Sequence, residues 1–467
     1  MRRTRFEAIG VLSLLATAAA AETVFEPTVS ISETYASNIA LAPRGAERHD
    51  WISEVRPGFA LRRDAPRFSY DLDYELQALF YKQDGDRDDV FHDFIGTGSG
   101  ELIEDRLFLD LGGRYDQRNI DPANRQATSN LFDTDNRTDV ASLSISPWLQ
   151  QPIGERANAT ARYTWYKTDY RNSDDTSGNI QDSDTTRIDL GLSTPESARW
   201  IWRLDYFTTE VDYDEAVDFQ YERGGGEFGV PVAPRSQALL AAGRESNLEE
   251  GRDNGGLDET WWTVGWRWLP TSRQTLELRV GDRYFGNTYD VIWRRSGTRG
   301  ELGLEYHEAA TTSNALEFGG APVAPGSGYG DTRIDTRAYL SKRLAGLLTW
   351  ETSRSDWRLR IYRDARDFVG DAEPDDDFTK DEEVLGIRAD WRWQAFARTS
   401  LATGVWWEEQ ELEQGDANGG QLSVALIRRI SRTLEGRLAV FRLLKNSEVI
   451  DDYRDTSATL ELTWSPR

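Results

Sequence analysis

The sequence predicts a single antiparallel transmembrane β-barrel of about 20 strands, or roughly 18 to 22. Three observations predict this fold class. Apolar and polar residues alternate along the chain, the connections between alternating segments are short and long in turn, and aromatic residues concentrate at the segment ends. Alternation alone would also fit a soluble β-sandwich, but the three features together favour a closed barrel in a membrane.

The composition is hydrophilic on average and yet rich in aromatic residues. Hydrophobic residues make up 38% of the 467 residues, the mean hydropathy is -0.63, and aromatics reach 11% with 17 Trp. Disordered acidic chains are poor in aromatics, and a helical membrane protein needs apolar runs of about 18 residues, which the mature chain lacks. A transmembrane barrel explains both features because half of each strand faces water.

The N-terminal residues predict export to the outer membrane of a Gram-negative bacterium. A basic start with three arginines is followed by an apolar stretch from Ala8 to Ala20, which is too short to span a membrane. We therefore expect residues 1–21 to be a cleavable signal peptide and 22–467 to form the barrel. The chain contains no Cys, which excludes a disulfide scaffold and a lipidated N-terminal Cys.

The segment from Phe68 to Phe80 shows the alternation most clearly. Its even-numbered positions are apolar, whereas the odd-numbered positions from Ser69 to Gln77 carry Ser, Asp, Glu and Gln. Successive side chains of a strand point to opposite faces, so this segment has one apolar and one polar face. Comparable segments surround Ile31, Leu109, Tyr163, Trp202, Trp266, Trp391 and Leu462.

Aromatic residues at the ends of these segments predict girdles at the two membrane interfaces. A soluble sandwich has no reason to place aromatics there, so the girdles favour a membrane barrel. The residues concerned are Trp148, Trp200, Trp268, Trp350, Trp357, Trp393 and Trp464.

Short connections alternate with long ones, as expected for periplasmic turns and extracellular loops. The longest connection, 214–258, is rich in Gly, Glu and Arg. It either folds over or into the lumen or is an ordinary hydrated loop, and the second interpretation is favoured. The predicted short connections are 63–66, 195–198, 270–272 and 394–397, and the other long ones are 119–137, 169–185, 309–332 and 364–381.

The segment around Ser341 to Arg343 decides the strand parity. It resembles a turn, yet the apolar phase from Thr336 to Trp350 continues through it unbroken. We therefore predict one long strand here, which gives the even strand number that single-chain bacterial barrels have. Lys342 then falls on the lipid side near the outer interface, where a Lys costs little.

Arginines and acids share the predicted lumen face. Two interpretations stay open, a mutually paired polar interior or a conduit whose arginines guide anionic sugars. Arg358 with Arg360, and Arg279 with Arg283, are the best ladder candidates because each pair lies on one strand. The full candidate set is Arg162, Arg203, Arg267, Arg279, Arg283, Arg358, Arg360 and Arg388.

Metal binding, cofactors and catalysis receive little support from the sequence. His49, His92 and His307 lie far apart without ligand spacing, and the acidic segment 371–377 lacks the spacing of a calcium loop. Ser99 and His92 lie roughly 23 Å apart along one strand, which is too far for a nucleophile and its base. We predict no enzyme, no catalytic residue, no metal, no cofactor and no nucleic-acid partner.

Short motifs carry a resemblance to a known family. They are SETYASNIALAP at 32–43, RYFGNTY at 283–289, TTSN at 311–314, and KRL at 342–344 followed by TSRSD at 352–356. They resemble outer-membrane barrels associated with the exosortase and PEP-CTERM sorting system, which are found beside exopolysaccharide biosynthesis genes. The resemblance covers essentially the whole mature chain and implies a setting in polysaccharide export, with no catalytic residues.

The C-terminus departs from the usual barrel pattern, in which the chain ends on an aromatic residue. Here Trp464 is followed by three further residues, and Pro466 cannot donate to a strand ladder, so the last strand should stop at about Ser465. Expected partners are outer-membrane lipid, lipopolysaccharide and the barrel-assembly machinery.

Two function hypotheses follow from the sequence. The leading one is a porin-like conduit or accessory component for an anionic polysaccharide, with export components as further partners. The rival is a structural or surface-interaction barrel whose lumen is closed by salt bridges.

Overall fold

One antiparallel sheet of 22 strands closes on itself in the computed structural model. Each strand pairs with its neighbours in the chain, and β1 (Thr23–Ala36) pairs with β22 (Tyr453–Trp464) to close the cylinder. The predicted fold class is confirmed, and the strand number falls within the expected range. The structure describes residues 23–171, 180–195, 200–214, 216–247, 257–313, 334, 336–368 and 382–466.

The strands are 10 to 17 residues long. Between β1 and β22 they are β2 Asp50–Arg63, β3 Phe68–Tyr81, β4 Asp89–Ile103, β5 Leu107–Asn119, β6 Arg137–Ile153, β7 Ala157–Arg171, β8 Ser183–Ser193, β9 Ile201–Tyr213, β10 Phe219–Ala233, β11 Ser236–Glu245, β12 Glu259–Thr271, β13 Gln274–Arg283, β14 Gly286–Ser296, β15 Gly300–Thr311, β16 Tyr339–Glu351, β17 Ser355–Phe368, β18 Glu382–Phe396, β19 Thr399–Glu411, β20 Ala417–Arg429 and β21 Leu434–Ser447. A short 3-10 turn spans Gly85–Arg87. Among the described residues, no helix has the length and apolar character needed to cross a membrane.

Alternate side chains of every strand form an apolar outer face. Large hydrophobic residues stay exposed along it, for example Leu460 with 58% of its surface uncovered. So much contiguous apolar surface is unfavourable in water and matches the hydrocarbon core of a bilayer. Six of the seven predicted Trp residues are exposed near strand ends, but all six lie at one end of the barrel and not at both. The seventh, Trp148, stacks on Phe108 and lies under the lumen residue Arg162.

Every connection at one end of the barrel is short, whereas the other end carries the long connections together with some short ones, such as the two-residue turn between Arg283 and Gly286. The short-turn end also carries the start of β1 and the end of β22, as the register of the first and last hairpins shows. The predicted short and long connections lie at opposite ends as expected, but the strict alternation fails at the turn between β13 and β14. The last strand ends at Trp464, one residue before the position predicted from Pro466.

The prediction of one long loop at 214–258 is wrong. Most of it forms the hairpin of β10 and β11, which adds two strands to the expected 20 or so. The alternation here is hard to recognise because Gly224 and Gly226 occupy outward positions, whereas the inward positions carry charge such as Glu227. The exposed large apolar residues on this pair are Phe228, Val232 and Leu240.

The long strand predicted through 341–343 is confirmed, because β16 is continuous from Tyr339 to Glu351. Its alternation places Lys342 on the outer face with the exposed Leu348 and Trp350. There Lys342 forms an ion pair with Asp367 of β17, so its charge is balanced at the outer rim.

Candidate functional site

Most predicted lumen arginines are paired with a carboxylate on the same strand or on a strand one or two positions away. Arg162 Nη1 lies 3.0 Å from Asp110 Oδ2, and Arg203 Nε lies 2.5 Å from Asp205 Oδ2. Arg267 Nε bonds Glu277 Oε2 at 2.6 Å. Inward positions alternate with lipid-facing ones, so facing charges on neighbouring strands come within reach of each other. The wall is a network of ion pairs rather than a row of free cations.

Arg279 and Arg283, one of the two predicted ladders, are the most firmly held. Arg279 bonds Glu277 Oε1 with its Nη2 at 2.6 Å and also contacts Glu227. Arg283 is buried, and its Nη2 donates to Glu245 Oε2 and to the Tyr221 hydroxyl, each at 2.8 Å. Breaking such a buried pair leaves an uncompensated charge, which is strongly destabilising. These two arginines therefore stabilise the wall.

Arg358, Arg360 and Arg388 form the second predicted ladder, here called the cationic cluster. Arg360 of β17 lies directly opposite Arg388 of β18, and Arg358 lies opposite Asp390. Arg388 Nε donates to Asp390 Oδ2 at 3.0 Å, whereas Arg358 makes no hydrogen bond or ion pair within the described part of the chain. Like charges directly opposite each other repel, and Asp390 offsets part of this repulsion through its ion pair with Arg388.

A long loop, residues 120–136, folds into the long-loop end of the barrel. Its Phe132 is completely buried with Leu41, Leu443 and Tyr453, and its Leu131 joins a second buried cluster with Ile52. Inward apolar side chains that would otherwise face water are covered in this way. We call this part of the lumen, from β19 through β22 to β4, the filled sector.

Lys445 of β21 ties the loop to the wall formed by β19 and β21. Its Nζ donates to Pro122 O at 2.7 Å and Gln126 Oε1 at 2.8 Å in the loop, and to Gln410 Oε1 of β19 at 3.0 Å. The lysine is 3% exposed. A second contact crosses the mouth, where Ile334 N, from the β15–β16 connection, donates to Ile120 O at 3.1 Å.

The part of the lumen wall formed by β5 to β15 is here called the open sector; β16 to β18, with the cationic cluster, lie between it and the filled sector. Two cavities of about 650 Å³ and 610 Å³ lie along it. They adjoin, because both are lined by the residues Asp189, Phe207, Arg223, Arg283, His307 and Glu308. Their volumes fall within the usual range for small-molecule sites.

The described residues contain no group of three or more His, Asp or Glu arranged to hold a metal ion. His307 Nδ1 lies 2.9 Å from Asp290 Oδ2 in the lumen. His92 instead bonds the lipid-facing Tyr74 hydroxyl, whereas Ser99 donates to Asp110 on the lumen side. Ser99 and His92 therefore lie on opposite faces of β4. The acidic segment 371–377 lies outside the described residues.

The sequence analysis missed the filled sector, although β21 carries a signal for it. From Leu438 to Leu444 this strand is apolar on both faces, with only Arg442 as an exception. A strand with lipid on one face and water on the other should alternate. Two apolar faces indicate that protein covers the inner one, and loop 120–136 does so.

The closed sheet, apolar exterior and charged, partly filled lumen define a transmembrane β-barrel of the outer-membrane type. No family model and no curated protein matches the chain.

Solved structures similar to it include a mutant ferric enterobactin receptor from Pseudomonas aeruginosa, at 12% identity and a TM-score of 0.49, covering 96% of this chain and 81% of that one. The siderophore receptor PirA from the same organism is 10% identical with a TM-score of 0.44, covering 95% and 80%. OccK2 from P. aeruginosa is 10% identical with a TM-score of 0.36, covering 95% and 97%. At these identities the similarity concerns the fold alone.

Proposed function

We propose that this protein is a porin-like conduit, or an accessory component, for an anionic exopolysaccharide that crosses the outer membrane. The observation that carries the proposal is the open sector, whose adjoining cavities are lined by many charged and polar side chains and are not filled by any loop of the described residues. A polar lumen inside an apolar exterior is what passage of a hydrophilic solute requires.

The cationic cluster supports the preference for an anion. Three guanidinium groups and Asp390 lie together there on facing inward positions of β17 and β18. Guanidinium groups bind carboxylates and phosphates in a bidentate manner, so spaced acidic groups of a polymer would find partners on β17 and β18.

The finer setting, export linked to an exosortase and PEP-CTERM system, rests on the resemblance of the short motifs such as 32–43 and 283–289. Export components are then expected partners. Deleting the gene in its native host should reduce surface polysaccharide, and the parent gene should restore it. If the deletion leaves the amount of surface polysaccharide unchanged, the protein has no role in polysaccharide export.

Planar-bilayer recording tests the conduit itself. The refolded protein should carry current in a KCl gradient with a reversal potential on the anion-selective side. Arg358→Ala combined with Arg360→Ala should move that potential toward cations, whereas Arg294→Ala, which removes a cation paired with Glu305 at 2.5 Å, should change it little. An unchanged reversal potential in the double variant excludes the cationic cluster as the source of selectivity.

A structural barrel with a non-conducting lumen is the second candidate, favoured by the inward-folded loop 120–136 and by the paired arginines. The same recordings separate the two. A protein that carries no current, and gains none when loop 120–136 is replaced by a short Gly-Ser linker, is a structural barrel and not a conduit.

A further inference from the structure

The two cavities of the open sector form one cleft, here called the lumen cleft. Among the described residues, eight arginines and seven carboxylates line it. The arginines are not free: Arg187 Nη2 lies 2.7 Å from Asp189, Arg203 2.5 Å from Asp205, and Arg267 2.6 Å from Glu277. The cleft is thus close to electrical neutrality while it is dense in hydrogen-bond donors and acceptors.

Aromatic rings fix two of the arginines in place. The guanidinium carbon of Arg187 lies 4.6 Å from the ring centre of Phe207, and that of Arg223 lies 4.1 Å from the ring centre of Trp261. Stacking holds the guanidinium plane against the wall and leaves its N–H edge to bond other groups. The donors are therefore oriented before any ligand arrives, which lowers the entropic cost of binding.

Gly225 makes this stacking possible. A Cβ at this position would lie 2.2 Å from Cζ2 of Trp261 and 2.9 Å from the carbonyl oxygen of Ala242. Trp261 can therefore lie flat on the β10 backbone only because residue 225 has no side chain. The glycine recesses the wall under the tryptophan and Arg223.

A charge-balanced wall discriminates between ligands. A polyanion that approaches Arg187 or Arg203 meets Asp189 or Asp205 within 3 Å of the same guanidinium, and must displace that carboxylate to bind. A hydroxyl group donates and accepts at once, so it can bond to an arginine and its carboxylate without separating them.

We propose that the lumen cleft binds an uncharged, hydroxyl-rich oligosaccharide segment. This assignment deepens the proposed function and rests on it for the origin of the sugar: uncharged units of the polymer occupy the cleft, and its acidic units meet the cationic cluster. Binding to the cleft is nevertheless measurable without conduction.

The test compares two probes of equal length on the refolded full chain, the neutral glucose oligomer maltohexaose and the anionic oligomer hexagalacturonate. Titration calorimetry should show maltohexaose binding about tenfold more tightly or better. The variant Asp189→Asn with Asp205→Asn keeps both side-chain shapes and removes two carboxylates. It should reverse the order of the two probes, because the arginines are then free to bind acid groups.

Glu305→Gln is the matched control, since Glu305 pairs with Arg294 and does not line either cavity. It should leave both affinities unchanged. The proposal is overturned if hexagalacturonate binds the parent protein as tightly as maltohexaose, if neither probe binds, or if the double variant keeps the parent's order. Conduction without maltohexaose binding overturns this proposal alone, whereas maltohexaose binding without any current overturns the conduit alone.

Discussion

The filled and open sectors belong to one sheet with one outer face, yet large parts of their inner faces differ in polarity. The difference is not complete, because Val211 and Tyr221 of the open sector belong to a buried apolar cluster of their own. In the filled sector, Phe441 and Leu443 point inward beneath loop 120–136. In the open sector, the equivalent inward positions of β8 carry Arg187 and Asp189. The inner face of a barrel strand has no fixed solvent, so its polarity reports what covers it. Apolar inner residues indicate protein, and paired charges indicate water or a polar ligand.

Removal of loop 120–136, which covers the filled sector, should have the largest effect. Replacing residues 121–135 by a short Gly-Ser linker should uncover the filled sector and raise the single-channel conductance about twofold or more, since conductance grows with the open cross-section. The exposed patch around Leu443 should also bind a hydrophobic dye. Parent-like conductance together with no dye binding would show that the loop does not fill the lumen.

Lys445 offers a finer way to disturb the same sector. Lys445→Met removes three hydrogen bonds from a charged donor, each worth about 1.5 to 3 kcal/mol when the partners stay buried. Loop 120–136 should then open more often, seen as faster hydrogen exchange of its amides by about tenfold or more.

Lys82→Met is the matched control for Lys445→Met. Lys82 is an exposed lysine that follows β3 at the same end of the barrel, and its side chain lies in solvent. Its exchange rates in loop 120–136 should equal those of the parent. Equal exchange in both variants would mean that Lys445 does not tie down the loop.

The sequence predicted those features of the fold that depend on interactions between residues close together in the chain. Alternation within one strand is local, and it predicted β3 and β16 correctly because lipid on one side and charge on the other leave a readable phase. The β10–β11 hairpin was not recognised because Gly224 and Gly226 interrupt the row of apolar side chains on its outer face. The alternation of inward and outward positions in this hairpin is visible in the strand pairing, but the residue types do not reveal it.

The candidate site was predicted less completely, because its pairing is not local. Tyr453 OH accepts a hydrogen bond from Gln126 N at 3.0 Å across 327 residues of sequence, and no pattern within a segment indicates such a contact. The inward phase of Arg279 and Arg283 was predicted correctly. Their partners Glu227 and Glu245 lie in the hairpin that was mistaken for a loop.

The wall of the open sector can be tested at Gly225. Gly225→Val adds a side chain where even a Cβ would overlap Trp261, so the ring and Arg223 must move. Overpacking of this kind costs about 1 to 3 kcal/mol, which a urea titration of the refolded protein in micelles should detect.

Gly303→Val is the matched control for Gly225→Val, because a Cβ at Gly303 would have only the Trp293 carbonyl oxygen within 4.0 Å. Its unfolding midpoint should stay close to that of the parent. If both variants lower the midpoint equally, a general loss of strand packing explains the effect and the recess at Gly225 is not needed.

Arg203→Met is expected to have the smallest effect on stability. Like Lys445→Met it replaces a cationic side chain by Met, but in the open sector. The Arg203 side chain is 54% exposed and its partner Asp205 is 48% exposed, so water screens the pair and replaces the lost contact. Pairs of this kind contribute about 0 to 1 kcal/mol, and the urea midpoint should barely move. Lys445, 3% exposed and bonded to three oxygens, loses contacts that no water replaces. A destabilisation by Arg203→Met as large as that by Lys445→Met would mean that the open sector is as dry as the filled one, and the distinction between the two sectors would fail.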